Sequence, residues 1–580
     1  MNNNSNMMLA IVLSLGVLLG YHYLVEIPRL EAQKVAIEAQ KATKAAEVKA
    51  PVAAAEEKGR ARTAIIADGF AAGERIKINS PRLHGSLNLR GARLDDLTLA
   101  DYRETVDATS AEVVLLAPSG TAPTPDNKTA HAYFAEFGWL ADAGIKTPAA
   151  DTVWKTKDKQ LTPDKPVTLA WDNGAGLVFT RTIALDANYM FTVTDKVTST
   201  GAAATLYPYG AIARHAQPKV EDLFILHEGA LGVFNGTLQE HKYKALHEDG
   251  AVEARQTDNA VGSGWLGLTD KYWLVAMVPD ATRPFAGRMQ EIAGTGDNAR
   301  YQIDARGDAV TLAAGGTVET TTRLFAGAKE VRLLDLYEKT LGIARFDLAV
   351  DFGWFYFLTK PFFYALDAIA NAFKHTGHGF AWAIILFTIL LKVLFFPLQN
   401  KSYKAMNRMK LLQPKMVELR ERYKDDKQQM NMQLFELYKR EKVNPMAGCW
   451  PVLLQIPVFF ALYKVLYVSI EMRHAAGWGW IADLSAPDPT NLFNLFGLLP
   501  FTPPSFLAIG ALPLLMGVTM YLQQKLSPTA LDPVQAAMFR WMPIVFTFML
   551  AHFPAGLVMY WTLSNILSIT QQWILLKRHA

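Results

Sequence analysis

The placing of long apolar runs constrains this chain more than any other feature. A helix that crosses a bilayer needs about 20 mostly apolar residues. Residues 7–25 form one such run, and no comparable run follows until residue 380. Five then follow closely, at 380–398, 447–469, 506–524, 539–553 and 555–576. The pattern predicts a polytopic α-helical membrane protein: six transmembrane helices, one isolated and five clustered. The fifth is short and holds Pro543, which is tolerated where neighbours satisfy the freed backbone. No Lys or Arg precedes the first run and no small-x-small cleavage site lies near its end, so residues 1–28 are expected to stay as a signal anchor.

Charge orients these spans. Residues 352–580 carry 21 Lys/Arg and 11 Asp/Glu, a net of +10, whereas residues 1–351 carry a net of −6. Residues 399–446 alone hold 12 Lys/Arg against 6 acids. The positive-inside rule places that loop and the tail 577–580 in the cytoplasm. Six spans then put the N-terminus there too and the acidic half outside. The remaining segments are expected as spans at 379–398, 447–470, 506–525, 538–553 and 554–576, an outer loop at 471–505 and an inner loop at 526–537. A single cysteine, Cys449, excludes a disulfide framework.

Residues 29–60 are rich in Ala, Glu and Lys and read as a tether. Residues 61–345 differ. Leu177–Leu185 follows Asn173-Gly174 and alternates in polarity; 191–197, 273–278 and 309–312 are also strand-like. Strands recurring between turn signals predict a large β-sandwich. Its histidines (His84, His131, His215, His227, His241 and His247) show no metal-ligand spacing. No phosphate loop or nucleophile elbow is present. These signals point to no enzyme, no cofactor and no metal.

Residues 346–378 are aromatic-rich but broken by Lys360, Pro361 and Asp367, as in an interfacial helix. The 399–446 loop reads as two helices with a turn at Asp425-Asp426. Met406, Met409 and Met416 recur at helical spacing beside Arg420 and Arg422. They either form an adaptable recruiting face or seal the two helices together. Within the spans, Lys392 is either a functional charge or a side chain snorkelling to the headgroups. Thr388 lies one turn from it, and Gln455 and Asn565 add polarity in the third and sixth spans. Carboxylates do not accompany Lys392 in its span, which disfavours an ion pump.

The run from Asn444 through Gln455-Ile-Pro to Tyr463 resembles the third-span signature of the YidC/Oxa/Alb membrane-protein insertases. So do Phe396-Pro-Leu-Gln-Asn-Lys401, Leu515-Met-Gly-Val-Thr-Met520 and Phe553-Pro-Ala-Gly-Leu-Val-Met-Tyr-Trp561. Leu89-Arg-Gly-Ala-Arg-Leu-Asp-Asp-Leu97 and Asp351-Phe-Gly-Trp-Phe355 resemble the external domain of the Gram-negative type. The resemblance implies a periplasmic sandwich of galactose-mutarotase-like shape, not thought catalytic, and a five-helix core with a hydrophilic groove open to the cytoplasm. Lys392 matches the groove's basic residue, usually Arg. Thr388, Gln455, Trp561 and Asn565 would line the groove, and Ile456, Pro457, Phe459 and Met549 would form an apolar slide for substrate. The implied partners are nascent membrane proteins, the Sec translocon (SecYEG and SecDF), the ribosome, the signal recognition particle receptor and membrane lipids, with no small-molecule substrate. Phe501-Thr-Pro-Pro-Ser505 is an insertion-like departure from the pattern. Two other classes remain for the residues themselves: a membrane-anchored carbohydrate enzyme and a solute transporter.

Overall fold

The computed structural model describes residues 59–123, 131–201, 203–218, 226–258, 260, 262–293, 299–443, 450–501, 503–504, 507–526 and 533–579. The expected anchor at 1–28 and nearly all of the tether at 29–60 lie outside them. The chain divides into two compact units, one ending at Asp351 and the other beginning its continuous stretch at Phe352.

In the first unit, alternation builds two sheets. Leu177–Leu185 turns Leu177, Phe179, Arg181, Ile183 and Leu185 to one buried face, as its period of two demands. The turn before it works through Asn173, whose Oδ1 accepts from the Ala175 and Leu177 amides at 2.8 and 3.0 Å. Gly174 takes φ +69°, which favours glycine. The eight-stranded sheet runs, in spatial order, Thr237–Lys242, Gly229–Phe234, Trp265–Thr269, Trp273–Val278, Thr317–Ala328, Met190–Ser199, Leu177–Leu185 and Val167–Asp172. The eleven-stranded sheet runs from Val252–Gln256 through Phe285–Ala293, Arg300–Gly307, Ala204–His215, Tyr133–Ala141, Arg93–Arg103, Leu83–Asn88 and Arg75–Asn79 to Gln160–Leu161. Val310–Leu312 and Glu112–Leu116 add to its flanks. The sheets pack face to face: Phe234 of one meets Phe285 of the other at 5.8 Å between ring centres. This is the expected β-sandwich, with helices α1 (Arg62–Ala71), α2 (Tyr243–Asp249) and α3 (Val331–Leu341) beside it.

Two fully buried ion pairs stand out in this unit. Arg181 and Asp195 oppose each other in register and form a bidentate pair at 2.7 and 3.1 Å. Arg75 and Asp95 form a second bidentate pair at 2.9 and 3.0 Å. Burial pushes the Asp95 carboxyl up, against the pull of Arg75. Asp96 binds Arg62 and accepts from the Ser86 hydroxyl at 2.6 Å. The charges of the Leu89–Leu97 motif are thus spent on holding the sheet.

The second unit is helical. Helix α4 (Tyr356–Ala372) buries Phe362, Phe363 and Leu366 and leaves Phe357 exposed. Its Phe362 ring meets Phe387 of α5 (Gly379–Arg422) at 4.9 Å. Helix α5 is one helix of 44 residues running from the expected span at 379–398 into the basic loop. Pro397 removes one backbone donor without ending the helix. Asp426 then caps α6 (Lys427–Arg440), accepting from the Gln428 and Gln429 amides at 3.0 and 2.9 Å.

Helix α7 (Trp450–Val468) is followed by α8 (Ala511–Leu526), α9 (Pro533–Leu550) and α10 (Ala555–His579). The start of α8 falls five residues later than expected, and a distant cap is the cause. Asp488 Oδ2 accepts from the Leu512 amide at 2.8 Å, and the Thr490 hydroxyl from that of Ala511 at 2.9 Å. Helix α10 packs on α5, α7 and α8, and α9 packs on α8. Gly517 allows that last approach, since a Cβ there would sit 2.1 Å from the Thr547 hydroxyl. Among the described residues, α5 is the helix long and apolar enough to cross a bilayer by composition; α7 and α9 contain the shorter apolar stretches Gln455–Val468 and Phe539–Leu550.

Candidate functional site

Polar groups in apolar helices need partners, and α10 gathers them. Tyr560, Ser564, Ser568 and Gln572 recur every fourth residue, so they share one face. Three ties from three helices end on α10. Lys392 of α5 donates to the Ser568 hydroxyl at 2.8 Å. Gln455 of α7 donates to the Tyr560 hydroxyl. Asn565 of α10 donates to Thr519 of α8 at 3.2 Å. Lys392 is partly buried, and this partner is a neutral hydroxyl rather than a carboxylate.

Thr388 departs from expectation. It is buried and donates to the Ile384 carbonyl of its own helix at 2.6 Å. Thr547, Thr562, Ser568 and Thr570 bond back to their own helices in the same way. Lys392, Gln455 and Asn565 are therefore the expected residues that the structure brings onto one polar face.

Among the described residues, several buried amide atoms have no protein partner: Gln399 Oε1 and Asn400 Oδ1 on α5, Gln524 Nε2 on α8, and Gln571 Nε2 and Gln572 Oε1 on α10. All lie toward the C-terminal ends of the apolar parts of their helices, the end from which α5 continues into the basic hairpin. A buried polar atom without a protein partner is stable where water reaches it. Tyr560 and these glutamines do not stand out in the sequence. The four-residue spacing on α10 was the available signal.

Beside this face lies an aromatic cluster. Trp561 meets Phe459 at 4.9 Å and Phe546 at 5.5 Å, both edge-on. Pro457, inside α7, is partly buried. Ile456 and Met549 are exposed. In the hairpin, Met416 is 2% exposed and joins Leu412, Leu434 and Leu437 in a small core, with Met409 packed against it. Sealing thus explains Met409 and Met416, and a recruiting role for Met416 is corrected. Met406 is half-buried, and Arg422 is exposed and donates to Glu418 at 2.8 Å. Arg420 is half-buried.

In the β unit, His227 is buried. Its amide donates to Asp351 at 3.0 Å, and its Nε2 lies 3.1 Å from the Ala230 carbonyl. Burial pushes its imidazole down to about 4, so the ring is neutral at pH 7. Asp335, Glu338 and Asp347 bring carboxylate oxygens within 4.8 Å of one another. The Asp347 amide donates to Glu338 at 3.4 Å, a bond that holds the turn after α3.

Two family models match the chain: the YidC periplasmic domain over residues 75–365, and the 60Kd inner membrane protein over residues 372–580. A membrane protein insertase YidC of Methylorubrum extorquens (strain PA1) is 47% identical over 604 residues, covering 100% of this chain and 96% of that protein. The namesake of Beijerinckia indica subsp. indica is 49% identical over 599 residues, covering 99% and 96%. A solved active YidC insertase with its first transmembrane domain resolved is 15% identical and covers 86% of this chain and 92% of its own, with a TM-score of 0.34.

Proposed function

The chain belongs to the YidC family of membrane-protein insertases, and on that premise we propose that it inserts nascent membrane proteins into the inner membrane through a groove built on α10. The observation that carries this reading is the polar face of α10, with a lysine held by a hydroxyl and unpaired amides toward the hairpin end.

The physical task is to carry polar segments across about 30 Å of hydrocarbon. A charge at mid-membrane costs about 2.5–3.5 kcal/mol on insertion scales. Water reaching Gln399 and Asn400 from the cytoplasm and extending to Lys392 would shorten the apolar path by about 12 Å, at 1.5 Å per helical residue. Lys392 then meets an acidic tail or loop as a point charge. Unlike arginine it offers no planar fork, so it suits varied carboxylates. The hydroxyl of Ser568 holds the ammonium without neutralising it. Phe459 and Trp561 form an aromatic wall, and Ile456, Pro457 and Met549 an apolar flank along which the incoming helix slides. Burial of that helix in lipid, worth about 25 cal/mol per Å² of apolar area, drives release. No nucleotide and no covalent step is needed.

In this reading six helices span the membrane, both termini are cytoplasmic and the β-sandwich is periplasmic. The arginines of the hairpin, Arg420 and Arg422, with exposed Leu411, face ribosome, signal recognition particle receptor and anionic lipid. Larger clients arrive with the Sec translocon, SecYEG and SecDF.

The test is one of access. In a Cys449→Ser background, Lys392→Cys is expected to react with a membrane-impermeant maleimide added to inverted vesicles and not to intact spheroplasts. Reaction from the outer side would instead favour an alternating-access transporter.

A further inference from the structure

The loop between α7 and α8 carries a feature that insertion of clients does not explain. No charged residue occurs from 489 to 524, a stretch that includes the second half of the loop and nearly all of α8. Helix α8 has 16 residues, about 24 Å at 1.5 Å each, against about 30 Å of hydrocarbon. The loop before it exposes Leu492, Phe493, Leu495, Phe496, Leu498 and Phe501, with Leu498 82% exposed. A water-facing loop of this length ordinarily carries charge and buries its large apolar side chains.

The backbone of this loop is closed on itself. The Phe496 amide donates to the Asn491 carbonyl at 2.7 Å, that of Leu499 to Asn494 at 3.0 Å, and that of Leu492 to Ile509 at 2.8 Å. Asn491 Oδ1 takes the Phe493 amide, and Asn494 Oδ1 takes that of Gly497, both at 2.9 Å. Backbone that enters hydrocarbon must satisfy its polar groups internally. Leu495 and Phe496 both hold positive φ, at 52° and 58°. Large apolar residues rarely adopt that conformation, and here it accompanies side chains turned outward. The exposed face of α8 itself, with Leu515, Val518 and Leu522, continues the same apolar surface.

We propose that residues 491–501 form a lip immersed in lipid hydrocarbon on the membrane side remote from the hairpin, completing the apolar height that the short α8 lacks. The partner is the acyl region of the bilayer, since residues 491–501 present no charge to a headgroup or to an acidic or basic protein surface. Trp480, exposed and donating to Asp488 at 3.1 Å, sits beside the cap of α8 as an interfacial ring does.

The inference rests on α8 being a span, so both are probed together. Spin labels are placed singly at Leu498→Cys, at Val518→Cys and at Lys244→Cys, an exposed site on α2. All are made in the full chain with Cys449→Ser, reconstituted in phosphatidylethanolamine–phosphatidylglycerol vesicles. The expected result is that positions 498 and 518 are both relaxed by oxygen and shielded from a water-soluble nickel chelate, several-fold more than position 244. Nickel access at 498 with shielding at 518 overturns the lip alone, and nickel access at both overturns the span and the lip. Exclusion of both reagents at 498 also overturns it, because the site is then covered by protein.

Discussion

In the β unit, Arg181 faces Asp195 across two strands and closes a bidentate pair inside the core. In the helical unit, Lys392 meets the hydroxyl of Ser568, and amides nearby have no protein partner among the described residues. The first arrangement completes the electrostatics internally. The second leaves capacity for a group that arrives from outside. A buried pair specifies one structure, whereas a cation held by a neutral group remains able to bind a carboxylate. On the proposed function the difference separates a scaffold from a working surface, and it can be broken at either end.

The largest expected effect lies in the scaffold. Asp195→Ala strands the Arg181 charge and is expected to destabilise the β unit by about 3–5 kcal/mol. The joint change Arg181→Leu with Asp195→Leu is expected to recover much of that loss. Calorimetric scans of the three proteins check this. Equal losses in the single and joint variants would mean the pair supplies packing rather than charge balance.

A smaller effect follows from His227. Its folded value is pushed down to about 4, below the unfolded value of about 6.5. The unfolded chain therefore binds the proton first as pH falls. The β unit is fully stabilised above about 6.5 and loses up to about 3 kcal/mol by pH 4 on this account. Denaturant unfolding from pH 7.5 to 4 should show that slope, and His227→Gln should flatten it. A wild-type slope retained by the variant would assign the titration elsewhere.

The smallest effects separate ties between helices from bonds within one. Asn565→Ala removes a tie to Thr519 and is expected to cost about 0.6 kcal/mol, the average for such bonds in membranes. Thr388→Val removes a hydroxyl that bonds to its own helix, and client insertion is expected to continue at the wild-type rate. Slowed insertion by Thr388→Val in proteoliposomes would mean that its hydroxyl reaches the substrate after all.

Much of this organisation is legible in local patterns. The strand at Leu177–Leu185 is visible because alternation and an Asn-Gly turn are local signals. The clustered apolar runs and the basic hairpin are equally local. What stays hidden depends on partners distant in sequence. The start of α8 is set by Asp488, more than twenty residues upstream. Helix α5 passes through Pro397, because one lost backbone bond does not end a long helix. The spacing of Met416 leaves recruiting and sealing both open, since periodicity reveals a face but not what covers it. Gln455 is conspicuous alone, but its partner Tyr560 is an ordinary aromatic until the helices are packed.

The central claim is that Lys392 works as an open charge in a groove. Its most direct test is insertion of a single-span client with an acidic N-terminal tail, by purified Lys392→Glu and Lys392→Arg proteins in liposomes. The account predicts that Lys392→Glu loses most insertion while Lys392→Arg retains it, and that a client with a neutral tail is affected less. Wild-type insertion of the acidic client by Lys392→Glu would contradict it.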